Sequence, residues 1–232
     1  MKRRPADLLF CQRRKDMRMR KKKWAEPYLE SHPDLVLADP SAMKGRWKEL
    51  LGCTSLHVEI GMGKGGYIAA MVQKEPDDGW IGIERDRSAA AVAARHVIEN
   101  GISQNHLRMI AGEAEQLEDW FEEGEVDLIH LNFSDPWPKK KTHKRRLSSE
   151  KFLLMYRRIL ADDGEIQMKT DNKDLFEDSV LYFSRDHWLF TSFSVDYRRT
   201  EHPEDAVTEY EQKFMDLGQP IYRLTAVPEA VK

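Results

Sequence analysis

From about residue 55 onward the chain alternates short apolar runs with longer stretches of helical period, and this rhythm constrains the fold more than any other feature. The runs at 56–60, 80–84, 107–111, 126–131, 164–169, 189–197 and 221–227 read as seven strands. Helices are expected at 67–74, at 88–100 with Gly101 as its stop, near 113–121, at 175–185 and at 207–216. One more follows Ser148 or Ser149 as cap and carries Phe152, Leu153, Tyr156, Ile159 and Leu160 on one face. Strands that alternate with helices predict an α/β fold, a mostly parallel sheet with helices on both faces. The last two strands break the rhythm, which makes an antiparallel strand there the expected exception.

At 232 residues the chain is sized for one domain with an appendage. Such a domain buries enough apolar surface to need neither a disulfide nor a structural metal. The appendage is residues 1–44: a basic arm, expected to be partly disordered, that wraps onto the body through Trp24, Tyr28 and Leu29. Residues 45–232 form the folded domain. Cys11 and Cys53 form no CxxC pair, which predicts a reducing, cytoplasmic setting. No apolar run approaches 18 residues, so no membrane span is expected. The sequence leaves monomer and homodimer both open.

The formal net charge of −3 conceals two opposite parts. Residues 1–24 carry eleven Lys/Arg and two Asp, or +9, and the remainder carries −12. Within that acidic remainder, residues 138–147 hold six Lys/Arg and no acid. An acidic body with two basic clusters fits a polyanionic partner, although a solvated tail and loop would carry the same charge.

The first strand runs into Glu59-Ile60-Gly61-Met62-Gly63-Lys64-Gly65-Gly66, a glycine loop that opens a helix. Gly61, Gly63 and Gly66 satisfy the dinucleotide pattern GxGxxG, while Gly61, Gly63 and Gly65 satisfy the GxGxG common among S-adenosylmethionine (AdoMet) enzymes. Glu84, ending the second strand, can accept bonds from ribose hydroxyls of either cofactor, and Glu113, after the third, can meet an adenine edge. Glu59 discriminates. An acid beside the loop suits the ammonium and sulfonium of AdoMet and repels the pyrophosphate of NAD.

After the fourth strand comes Asn132-Phe133-Ser134-Asp135-Pro136-Trp137-Pro138-Lys139, running on through Lys140 to Arg146. Two prolines stiffen this loop at the sheet's carboxyl edge, Asp135 is held there, and the basic run can meet phosphates. With Lys169-Thr170-Asp171-Asn172 and Thr208-Glu209-Tyr210-Glu211, the segment resembles the bacterial tRNA (guanine-N7-)-methyltransferases, the TrmB family. That family has Glu before its glycine motif, DPWPK followed by His and paired Arg, a KTDN segment and a T-x-Y-E motif. All occur here in order, so the resemblance covers roughly residues 17–227. Arg18 to Ala25 also looks like the family's basic arm. Glu113 departs from the family's more usual Asp.

The resemblance implies a class I AdoMet-dependent methyltransferase (Rossmann-like) fold and methylation of N7 of the guanine at position 46 in the tRNA variable loop. It implies AdoMet contacts from Glu59, Gly61, Gly63, Glu84, Glu113 and Asp135, with Asp135 the active-site residue. Lys139 and Asp171 would meet the guanosine. Lys141, Thr142, His143, Lys144, Arg145 and Arg146 would touch RNA, and Thr208, Glu209, Tyr210 and Glu211 would close the pocket. Taken singly, Asp171 could equally cap the next helix and Tyr210 could be ordinary packing. Guanine N7 already carries an in-plane lone pair, so no general base, nucleophilic Cys or metal is expected. The competing readings are a methyltransferase for another substrate, a nicotinamide dehydrogenase and an RNA-binding protein without activity.

Overall fold

The computed structural model describes residues 20–229. Residues 1–19, with seven of the eleven Lys/Arg of residues 1–24, lie outside the described residues. Among the described residues, seven strands form one sheet in the order β3-β2-β1-β4-β5-β7-β6. They are β1 (Leu56–Ile60), β2 (Gly79–Ile83), β3 (Leu107–Ile110), β4 (Val126–Asn132), β5 (Leu160–Thr170), β6 (Trp188–Ser194) and β7 (Tyr222–Pro228). β1 and β2 are buried at every position, as central parallel strands covered on both faces must be. β7 alone runs against its neighbours, pairing antiparallel with both β5 and β6. The order reverses between β1 and β4, which opens a crevice at their carboxyl ends.

The helices are α1 (Ala25–Glu30), α2 (Trp47–Leu51), α3 (Gly66–Lys74), α4 (Arg87–Glu99), α5 (Leu117–Trp120), α6 (Glu150–Ile159), α7 (Lys173–Arg185) and α8 (Glu209–Asp216). One face of the sheet packs against α2, α5, α6 and α7 around Trp47, Phe121, Tyr156 and Phe183. The other packs against α1, α3 and α4 around Trp80, Ile68 and Val97. α4 presents Ala90, Ala91, Ala93 and Ala94 as a smooth buried stripe, and Asp86 caps it by accepting from Ser88 and Ala89 N–H. The expected helix at 113–121 is instead a 3-10 turn, Ala114–Gln116, followed by the single turn of α5.

The N-terminal segment docks through the residues expected to anchor it. Ala25 and Leu29 are buried in the α4 face, with Trp24 and Tyr28 packed beside them. Leu35 O and Leu37 N bond to Met109 of β3 at 2.7 and 3.0 Å, so the segment covers an edge that would otherwise expose unpaired backbone. α1 and α2 were not expected, being too short to show a period. No helix among the described residues is long and apolar enough to cross a membrane.

Candidate active site

The glycine loop takes its turns at three of its four glycines. Gly61, Gly63 and Gly65 have φ of +83°, +57° and +77°, whereas Gly66 opens α3 without a positive φ. Gly65 is also a point of close approach. A Cβ there would lie 2.9 Å from that of Ala93, so it lets α3 start tight against α4. The loop is tied to the next strand by Glu84, whose two carboxylate oxygens accept from Gly63 N–H at 3.0 Å and Asp86 N–H at 2.8 Å. Burial pushes the Glu84 carboxyl up, and those two bonds pull it back.

Glu59 is more deeply placed, at 2% exposure. Its Oε1 accepts from Asn132 Nδ2 of β4 at 3.1 Å, and its Oε2 has no hydrogen-bond partner among the described residues. Burial raises its carboxyl to about 7, against the weaker pull of Asn132, Lys169 and the Ile68 backbone N–H. A buried carboxylate with one oxygen unmatched is a site of cation affinity.

The loop after β4 is held from both ends. Phe133 N–H donates to Lys169 O at 2.8 Å, and Phe133 and Trp137 have φ of +51° and +37°, unusual for bulky side chains. Asp135 accepts from Arg85 at 3.0 Å. The Arg85 and Arg145 guanidiniums lie 5.6 and 5.1 Å from the Trp137 ring centre. Arg85 stands next to Glu84, so it joins the ends of β2 and β4. Sequence reading missed it, because an Arg after a strand carries no signal of its own.

The basic run forms a 3-10 turn, Lys140–Arg145, and its members divide. Lys139, Lys140, Lys141, Lys144 and Arg145 are exposed. Arg146, expected on RNA, is buried at 2%. Its guanidinium donates to Pro136 O at 2.8 Å and Asp178 at 2.6 Å, anchoring the loop from behind. His143 faces the same way, within 3.1 Å of both Tyr182 Oη and Arg146. Thr142 Oγ1 donates to Lys139 O at 2.7 Å. A guanidinium committed to protein acceptors has little left for phosphate, so the expectation for Arg146 changes to positioning.

The KTDN and T-x-Y-E segments meet through buried charge. Lys169 Nζ lies 2.7 Å from Asp205 and 3.3 Å from Glu211. Arg198 bonds both acids, reaching Glu211 at 2.6 Å. Tyr67 Oη donates to Asp205 at 3.0 Å and lies 3.3 Å from His130 Nδ1. Burial holds His130 well below the ordinary histidine range. Glu211, at 0% exposure, is therefore held by internal cations. Asn172, not Asp171, caps α7, accepting from Leu175 N–H at 2.8 Å. Thr208 caps α8, accepting from Glu211 N–H at 3.1 Å, while Glu209 is exposed. Tyr210 packs edge-on to Phe133 at 5.1 Å, which brings the last motif against the loop after β4.

Two features lie apart. Glu113 is exposed at the head of the 3-10 turn after β3, with its carbonyl accepting from Gln116 N–H. His57, Glu75 and Asp78 gather near the amino ends of β1 and β2, at the opposite edge of the sheet.

A family model described as "Putative methyltransferase" matches residues 54–224. A tRNA (guanine-N(7)-)-methyltransferase of Limosilactobacillus reuteri is 43% identical over 90% of this chain and 99% of its own length. The protein of that name from Listeria monocytogenes is 44% identical over 90% and 98%. Among solved structures, the 16S rRNA methyltransferase KamB superposes with a TM-score of 0.59 at 11% identity, covering 80% of this chain and 94% of that one. An antibiotic-related methyltransferase gives 0.58 at 13% identity, with 80% and 94% covered. At such identities these two share the fold.

Proposed function

Because the chain belongs to the tRNA (guanine-N7-)-methyltransferase family, we propose that it transfers a methyl group from AdoMet to N7 of the variable-loop guanine at position 46 of tRNA. The observation that carries the reading is Glu59. A buried carboxylate with an unmatched oxygen stands beside a GxGxG loop, at the crevice where the strand order reverses. That donor set fits a cationic amino-acid head and not a pyrophosphate. Glu59 would hold the ammonium end, Gly61 and Gly63 would let the backbone approach, and Glu84 would take the ribose hydroxyls. Glu113, being exposed, would meet adenine only at its edge. When bound, AdoMet supplies an electrophilic methyl group on a sulfonium.

The chain's own task is positional. Guanine N7 needs no deprotonation, so the protein must bring it in line with the methyl group at roughly 3–3.5 Å and exclude other orientations. Asp135, braced by Arg85, would orient the base and stabilise the positive charge that the purine gains. Lys139 and Asp171 would hold the nucleotide, and Tyr210 beside Phe133 offers an aromatic surface for a base turned out of its stack. Lys141, Lys144 and Arg145 face solvent and would meet phosphates together with the arm at residues 1–44.

The test is incubation of unmodified tRNA with AdoMet and the protein, followed by nucleoside mass spectrometry and mapping of the modified position. 7-Methylguanosine at position 46 is expected. Methylation at another site or in another RNA would overturn the substrate. Asp135→Ala should abolish turnover while AdoMet binding falls less, and wild-type turnover in that variant would remove Asp135 from the mechanism.

A further inference from the structure

A second cavity, of about 390 Å³, lies at the same edge of the sheet. Tyr197, Arg199, His202, Arg223, Ser194 and Glu204 are among its walls. None of them belongs to a motif that reads as functional in the sequence. Its position follows from strand register. Tyr222 pairs with Thr170, the residue before Asp171, and Arg223 pairs with Lys169 on one side and Ser194 on the other. Directly opposed residues share a face, so Arg223 projects from the same face as Lys169. The cavity thus begins one to two strand spacings from Asp171, roughly 5–10 Å.

Its chemistry is that of an anion site built on an aromatic floor. The His202 ring stacks on Tyr197 at 3.8 Å between centroids and 17° between planes, and the Arg223 guanidinium sits 4.8 Å from the same Tyr197 ring centre. Arg223 Nε is buried and has no hydrogen-bond partner among the described residues, a donor left unmatched in the wall. Arg199 is exposed at the rim. The neighbouring Arg198 is different, since its charge is spent on Asp205 and Glu211. Glu204, the acid at the rim, lies 2.8 Å from His202 Nδ1; its own backbone N–H, that contact and, more weakly, the Arg223 guanidinium hold its carboxyl below the usual range. Two guanidiniums beside hydroxyls suit a tetrahedral oxyanion, which offers several acceptors at once.

We propose that this cavity binds a backbone phosphate of the RNA substrate, from a nucleotide flanking the one whose base enters the active site. The assignment rests on the tRNA reading above and deepens it. The basic turn after β4 would hold the RNA on one side of the reactive guanine, and the Arg199–Arg223 cavity would hold it on the other. An RNA held at both sides is fixed in direction as well as in place.

The test measures tRNA binding and methylation separately, over a range of salt. Arg199→Glu, an exposed change, should raise the KM for tRNA about ten-fold with kcat within about two-fold. It should also make the slope of log affinity against log salt shallower by about 0.7–0.9, the effect of one lost phosphate contact. Arg223→Gln should act in the same direction, and calorimetric AdoMet affinity should stay unchanged in both. Unchanged tRNA affinity and slope in both variants would overturn the proposal, as would a collapse of kcat at unchanged tRNA affinity. Suppose millimolar inorganic phosphate raises the melting temperature of wild type but not of Arg223→Gln, while tRNA affinity is unmoved. The cavity would then belong to a free phosphate-bearing ligand, and the RNA assignment would fall. The binding readout needs no methyl transfer, so a wild type that binds tRNA through this cavity yet makes no 7-methylguanosine would sink the proposed activity alone.

Discussion

Glu59 and Glu211 are both motif acids, both essentially buried, and differently satisfied. Glu59 has one amide neighbour and an unmatched oxygen, and burial raises its carboxyl to about 7. Glu211 lies between Arg198 at 2.6 Å and Lys169 at 3.3 Å. With Asp205 these make two cations and two acids, a buried set whose charges cancel. A buried acid with one oxygen unbonded and no cation bonded to it can take a cation from outside, whereas one already neutralised holds segments together. The contrast separates the two halves of the site. The half proposed for the cofactor keeps an unsatisfied group at its centre, and the half proposed for the substrate is braced by an internally closed network.

The largest effect should come from opening that closed network. Glu211→Ala leaves Lys169 and Arg198 sharing one acid, and removing one partner of a buried pair costs about 3–5 kcal/mol. For a domain of this size that is a fall in melting temperature of roughly 6–20 °C. The double change Lys169→Met with Glu211→Leu removes charge of both signs and should recover part of the loss. Thermal and urea unfolding of the three proteins checks this. A melting temperature unchanged in Glu211→Ala would show that Glu211 is not structural and restore it to the pocket.

Glu59→Gln should do the opposite in the ligand-free protein. The folded carboxyl titrates near 7 and the unfolded one near 4.5, so the folded state binds the extra proton between these values. Stability from this group is complete below about pH 4.5 and is lost as pH rises through 7, by about 3 kcal/mol in all. Glutamine carries no such loss. The variant should match wild type near pH 4.5 and exceed it by about 3 kcal/mol at pH 8. Its AdoMet affinity should drop at least roughly ten-fold, the scale of a lost bond to a charged group. Wild-type binding should weaken below pH 7 and release a proton, visible by calorimetry in buffers of different ionisation heat. A pH-independent gap in stability between the two proteins would break the comparison.

What could be read in the sequence follows the same division. β1 and β2, the glycine loop and the two acids at their ends were legible because strand period and φ-demanding glycines are local signals. The loop after β4 was legible as a string, but the division of its basic residues was not. Arg146 and Lys144 look alike in sequence, and only the docking of α7 supplies Asp178 to one of them. Ser149 occupies the capping position of α6, yet its hydroxyl donates to Lys144 O at 3.2 Å. Arg198 and Asp205 lie in a stretch with neither helical nor strand period. They become neighbours of Lys169 because β7 enters antiparallel beside β5 and brings Tyr197 against Ile221. Contacts created by strand order rather than chain order leave no spacing to find.

The smallest effect tests the seam between the two halves. Thr208 accepts from Glu211 N–H, so its oxygen caps α8, and a hydroxyl that accepts can also donate. Thr208→Ala should cost about 1 kcal/mol, a fall of roughly 2–4 °C. Thr208→Asp keeps a capping oxygen beside the helix N-terminus and should restore most of that stability. It lacks the donor at neutral pH. If Thr208 closes the substrate pocket as well as the helix, turnover on tRNA should fall on the order of ten-fold in both variants, although only Ala unfolds early. If turnover instead follows melting temperature, and the Asp variant works as wild type does, the residue belongs wholly with Glu211 on the structural side. The substrate pocket would then end at Tyr210.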